Sequence, residues 1–227
     1  MSDLHPHALS LDEDALEHPD FQRVLTDDLA AMAPPDIIHR FRAVGRDGQQ
    51  TEVLKAAGFS VTRLTRLIDL PLNLDLPHAL EAHIAPHWFG PEERGPWEQW
   101  LDAHWRHYDT LHQSNPPQQP AQGLAPLFAG ADLIAAFALR DGPQGRVLSF
   151  ASLREGEELG WIGGRPDLLD QTLSACLRRA AALGWSKATL EVDDDDRPLW
   201  ALASDLPGPT RTFVTWHRER QPSSQPH

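Results

Sequence analysis

The sequence predicts a mixed α/β (α+β) chain in which two stretches share one order of elements. Three observations carry this. From Leu124 onward the pattern reads strand, strand, strand, helix, strand, helix, strand. The segment ending at Leu70 reads helix, strand, helix, strand, the final four elements of that series. Between them lies a Trp-rich helix with one apolar face.

In the first stretch, Val24, Leu25, Leu29 and Met32 have helical spacing, and Pro34-Pro35 ends that helix. Ile37–Val44 (IIHRFRAV) reads as a strand, GRDGQQ as a turn and Thr51–Ala57 as a short helix stopped by Gly58. Ser60–Leu70, rich in β-branched residues, is the second strand. Residues 1–20 are acidic and carry Pro6 and Pro19, the composition of a loosely ordered arm.

In the central segment, Trp97, Trp100, Leu101, His104, Tyr108 and Leu111 fall on one helix face, and Pro96 suits the first turn. NPPQQPAQG, residues 115–123, reads as a Pro/Gln loop. Leu133–Arg140 is nearly all apolar, the pattern of a strand buried on both faces. DGPQG turns the chain into Arg146–Leu153, and REGE turns it into Glu158–Gly163. Asp167 is read as the cap of a helix from Leu168 to Leu183, which Gly184 stops. Lys187–Val192 is a strand, Arg197–Ser204 a short helix and Thr210–His217 the last strand. Residues 219–227 form a polar tail.

Laid over each other without a gap, Phe21–Leu70 matches Leu169–Arg218. Leu25 falls on Leu173, Val44 on Val192, Leu54 on Leu202 and Thr62-Arg63 on Thr210-Arg211. The shared element order, rather than identity, makes this an internal repeat.

Composition narrows the function. A formal net charge of −13 and no visible Lys/Arg cluster oppose nucleic-acid binding. No apolar run reaches the roughly 20 residues needed to span a bilayer, and no Lys or Arg precedes Arg23, so a basic signal-peptide region is lacking. The expectation is a cytoplasmic protein. The lone Cys176 lies on an apolar helix stripe and reads as a core thiol.

Several residues here resemble the GCN5-related N-acetyltransferase (GNAT) superfamily. KAAGF followed by TRLTRLIDLPL resembles the end of a GNAT domain, and Glu157–Asp196 resembles its centre as strand, turn, helix, strand. The resemblance implies a GNAT-like mixed, mostly antiparallel central sheet flanked by helices, with a partial second GNAT-like half at the N-terminus. It implies a truncated half over 21–74 and a GNAT-like domain over 75–218, in which 75–123 holds the Trp-rich helix and the loop. It also implies acetyl-CoA as cofactor, with no metal, and a small-molecule or peptide amine as acceptor. The pantetheine arm would lie along the strand that splays from its neighbour, at Trp161, Ile162, Gly163, Gly164 and Arg165. Glu158 would be the general base, with Glu157 beside it, and Trp100, His104 and Tyr108 would wall the acceptor pocket. A truncated copy exposes a sheet edge, so a homodimer is expected.

The sequence also departs from the family. The phosphate-holding R/Q-x-x-G-x-G/A motif is absent after that strand; Gly163-Gly164-Arg165-Pro166-Asp167 runs straight into the helix. Pro166 offers no N–H, and Asp167 and Asp170 set negative charge at the helix start, where it opposes a phosphate. Two function classes therefore stand: an acyl-CoA-dependent N-acyltransferase, and a non-catalytic GNAT-like binding or assembly protein. A third is a binding module for another ligand in the Trp-lined cleft. Asp193–Asp196 lacks the spacing of a calcium loop and is read as helix-start acids, or as an acidic lip for a cationic amine. His104 and His107, three apart, and His83 and His87 are read as surface or packing histidines before metal ligands.

Overall fold

A computed structural model of the chain describes residues 8–10, 20, 23, 38–44, 48–74, 81–111 and 132–218, with backbone alone at 8–10, 38–44, 48–50 and 218. Apart from Arg23, the expected helix at 21–32, the loop at 115–123 and the tail at 219–227 lie outside these. The chain divides into two compact units, residues 1–65 with 212–227, and residues 66–211.

In the first unit, β1 (Ala8–Ser10) pairs in parallel with β2 (Ile38–Val44). The sequence pattern did not predict β1. Strand β2 pairs antiparallel with β9 (Thr210–Arg218), whose other neighbour is β3 (Ser60–Leu70). Helix α1 (Gly48–Ala56) ends where Gly58 adopts a φ of 84°. Its Leu54 is buried against Phe59, Val214 and Trp216.

The second unit has the strand order β3-β8-β7-β6-β5-β4. Strands β4 (Ile84–Phe89), β5 (Leu133–Asp141), β6 (Val147–Arg154) and β7 (Glu158–Gly164) form an antiparallel meander. Their turns use left-handed backbone at Gly142, Gly156 and Glu157. Strand β7 then pairs in parallel with β8 (Ala188–Asp193) after a crossover through α3 (Leu169–Ala182). Helices α2 (Arg94–Leu111) and α4 (Arg197–Ser204) complete the unit. The architecture is the expected mixed, mostly antiparallel sheet flanked by helices.

Adjacent β6 residues show how the helices are layered. Ser149 meets Thr172 of α3, while the next residue, Phe150, meets His104 of α2. Successive strand side chains point to opposite faces, so α2 and α3 cover opposite faces of the sheet. The α3 side holds the larger apolar cluster, including Phe137, Leu139, Leu153, Leu159, Leu173, Leu177 and Leu190.

Two local readings are corrected. Strand β4 was not expected, because Pro86 and His87 break its apolar pattern; it comes last in the strand order, where a residue without an N–H is tolerated. Asp167 does not cap α3. A 3₁₀ turn, Pro166–Leu168, precedes the helix, and neither start has a side-chain cap.

Candidate functional site

The site is built where β7 leaves β8. The two strands pair only at Glu158↔Thr189 and Leu159↔Leu190, although β7 continues to Gly164 and β8 to Asp193. Beyond Leu159 the ladder is open. Here β7 also bulges: Ser152 pairs with Gly160 and Phe150 with Gly163, so Ala151 alone opposes Trp161 and Ile162. The bulge is held from β6, where Ser152 Oγ donates to Gly160 O at 3.0 Å and Ser149 Oγ to Gly163 O at 2.8 Å. A parallel ladder that stops part-way is the kind of place where an extended ligand can add as a strand.

Trp161, at the bulge, has a φ of 43°. For a bulky residue this conformation is strained, and it persists only where the surroundings enforce it. The enforcement comes from α2. Trp161 stacks on Tyr108 at 4.9 Å and 15°, and meets His104 edge-on at 4.6 Å. His104 in turn lies 5.0 Å from Trp100 and 4.9 Å from Phe150, and the Trp100 indole donates to Ala151 O at 3.2 Å. Trp100, His104 and Tyr108 are therefore brought together with Trp161 in a buried aromatic block that fixes the bulge. His104 is 0% exposed. Burial, reinforced by neighbouring His107, holds its imidazole well below the ordinary range, so it is neutral.

The glycines of β7 are filled by the protein itself. A Cβ on Gly163 would lie 2.6 Å from Phe150 and 2.8 Å from His107. Gly164, with a φ of 115°, would press a Cβ to 2.4 Å from Leu148 O. Their absence of side chains serves the bulge and turn.

One pair was not singled out by the sequence. His107 Nε2 lies 2.8 Å from Asp196 Oδ2. An ionised carboxylate only accepts, so Nε2 carries the proton. Asp196 is 5% exposed and also caps α4, accepting from Leu199 N–H at 3.2 Å. His107 contacts Gly163 near the end of β7, and Asp196 follows the end of β8, so the imidazole lies over the wide end of the fork. The Asp193–Asp196 run is thus not one uniform acidic lip; its last member is a structural acceptor.

Glu158 is exposed at the closed end of the fork, paired with Thr189. Glu157 acts differently. Its carboxylate accepts from Ser186 N–H at 2.6 Å and Ser186 Oγ at 3.0 Å. The Ser186 backbone donor holds its carboxyl below the usual range, which suits a loop clamp and not a base.

The turn after β7 offers few donors. Arg165 N–H donates to Leu148 O at 2.8 Å, Leu168 N–H to Arg165 O at 3.0 Å and Leu169 N–H to Pro166 O. Gln171 N–H donates to the Asp170 carboxylate at 2.7 Å. The Arg165 guanidinium is paired with Asp167. Among the described residues no group of three or more His, Cys, Asp or Glu is placed to hold a metal ion, and no helix is long and apolar enough to cross a membrane.

No protein-family model and no curated protein sequence matches the chain. Solved structures do. The chain is similar to a GCN5-related N-acetyltransferase from Sphaerobacter thermophilus (TM-score 0.60, 15% identity, 89% of this chain and 66% of that one). It is similar to one from Kribbella flavida (0.56, 18%, 92% and 77%). It is also similar to a tandem GNAT protein from the clavulanic acid biosynthesis pathway (0.55, 14%, 90% and 70%). The chain spans about two thirds of the Sphaerobacter protein's length. At these identities the likeness establishes the GNAT fold.

Proposed function

We propose that the chain is an acyl-coenzyme A-dependent N-acyltransferase, with acetyl as the acyl group and an amine as acceptor. The observation that carries this is the fork: β7 and β8 part after Leu159↔Leu190, at a bulge stapled from β6 and braced from α2. Trp161, Ile162, Gly163 and Gly164 would hold the pantetheine arm through their backbone, with Arg165 beyond. Bound there, acetyl-CoA supplies the activated acyl group. The chain's part is to align the acceptor and take its proton, and we assign the proton to Glu158, supported by its exposure next to the point of divergence. Trp100, His104 and Tyr108 act by holding Trp161 in place.

The same reading takes the chain as a tandem protein with a truncated first copy. At the offset that lays Phe21 on Leu169, β2, α1 and β3 fall on β8, α4 and β9. The neighbours support it: β9 lies beside β2 in one unit, and β3 beside β8 in the other. Self-association as a homodimer belongs to this reading, and a single monomeric species in sedimentation velocity would remove it.

One observation favours a second reading, a non-catalytic GNAT-like binding protein. At the N-terminus of α3, Pro166 has no N–H, the Leu168, Leu169 and Gln171 amides are engaged and acids lie beside them, so the degenerate turn does not fit a pyrophosphate as an ordinary cradle would. Calorimetric titration with acetyl-CoA and with CoA decides between them. Saturable binding that Trp161→Ala weakens supports acyl transfer, and an amine panel then finds the acceptor. No binding at millimolar ligand rejects acyl transfer.

A further inference from the structure

A cleft of about 520 Å³ opens beside the β7–α3 turn. Three arginines line it: Arg106 from α2, Arg146 just before β6 and Arg165 just after β7. Asp102 is the one carboxylate among the lining residues. In a chain of net charge −13 three arginines gather here, with Glu81 and Asp141 also acting electrostatically on Arg165. Arg106 is paired with Asp102 and Arg165 with Asp167, both pairs exposed and thus weakly held.

A fourth arginine supplies an independent observation. Arg140 is 3% exposed. Its Nε donates to Gly145 O at 3.1 Å and its Nη2 to Gln99 Oε1, and both acceptor residues line the cleft. Both acceptors are neutral, and Nη1 is buried with no hydrogen-bond partner among the described residues. A guanidinium does not deprotonate in a protein, and a buried charge without an opposite partner is costly. An anion in the adjoining cleft would compensate it.

We propose that this cleft is a binding site for a phosphate ester, its phosphate held by Arg106, Arg146 and Arg165 with Arg140 beneath. Guanidinium groups meet phosphate oxygens in pairs of parallel hydrogen bonds, and the volume leaves room for an organic portion beyond one phosphate. The side chains take over the role that the α3 N-terminus, with Pro166 and its engaged amides, does not perform. The site stands whether the phosphate belongs to coenzyme A or to a separate phosphorylated ligand.

The test is calorimetric titration of the full chain with inorganic pyrophosphate. The expected result is saturable, salt-sensitive binding that Arg146→Ala and Arg106→Ala each weaken about tenfold. Asp167→Asn, which frees Arg165, tightens it. Competition separates the two sources. Displacement of pyrophosphate by CoA but not by pantetheine supports the site and gives the phosphate to the cofactor. Pyrophosphate binding that CoA leaves untouched supports the site and assigns it to another ligand. No saturable pyrophosphate binding at millimolar concentration, or undiminished binding by both arginine variants, overturns the proposal. If CoA still binds in that case, the acyl-transfer reading survives without this cleft.

Discussion

Lowering the pH from 7 to 5.5 tests the role of His104 directly. The side chain is fully buried among Trp100, Phe150 and Trp161, and burial holds its imidazole far below the 6.5 of an exposed histidine. Above pH 6.5 neither folded nor unfolded chain protonates this residue, and its contribution is intact. Below 6.5 the unfolded chain takes up a proton that the folded one refuses, so stability falls with falling pH. The loss between pH 7 and 5.5 amounts to about 1 kcal/mol. Urea titrations followed by tryptophan fluorescence at both pH values measure it. His104→Phe keeps a ring in the aromatic block and removes the proton-binding group, so its stability should lose about 1 kcal/mol less than the parent over the same interval. The carboxylates of Asp69 and Asp132 are held low by Lys187 and Arg154, and lose their partners' stabilisation only at more acid pH. Parallel curves for the parent and His104→Phe would refute the reasoning, because they would mean that His104 protonates inside the folded block.

Three further outcomes follow from the same structure. Gly164→Ala places a Cβ at 2.4 Å from a backbone oxygen with a φ of 115°, and should cost about 2–4 kcal/mol. An unchanged denaturation midpoint would contradict this. Asp196→Asn keeps an α4 cap, so it should destabilise less than Asp196→Ala by about 1 kcal/mol. A double-mutant cycle of Asp196→Asn with His107→Ala should show a coupling of about 1–3 kcal/mol, and additivity would dissolve the pair. Cys176 is fully buried and its thiol is pushed well above the ordinary range by desolvation, so thiol reagents should label it only after unfolding. Labelling of the native chain within minutes would count against that burial.

Much of the sheet and helices was legible because their signals are local. The α2 face from Trp97 to Tyr108 repeats at helical spacing, and Trp97, Trp100, Leu101, His104 and Tyr108 are buried. Leu133–Arg140 reads as an apolar run, and Ala136–Arg140 are buried together. The misses have local causes as well. Pro86 hides β4, and an Asp two residues before a helix resembles a cap even where a 3₁₀ turn intervenes. Arg140 shows the limit of reading a hydrophobic run: the same burial that marks the strand leaves a charge under the cleft that the run does not announce.

The candidate site was legible only in its strand. The residues around Gly163 and Gly164 locate β7, but composition does not distinguish a glycine that admits a ligand from one that admits Phe150 and His107. The distinction is tertiary, and so is the pairing of His107 with Asp196, which joins α2 to the turn after β8 across most of a unit's sequence. Strand partnership is harder still. Element order along the chain lays β3 over β9, but does not say which strand each accompanies. In each unit the added strand comes from the opposite end of the chain: β9 stands beside β2, and the end of β3 beside β8, where Asp69 bonds Lys187 at 2.6 Å and Thr189 at 2.9 Å. The strand that forms one side of the fork is therefore itself supported by residues that precede it by more than a hundred positions. A fork held this way depends on β3 for one arm and on α2 for the bulge of the other, so its geometry is set by contacts that no motif within Glu157–Asp196 could encode.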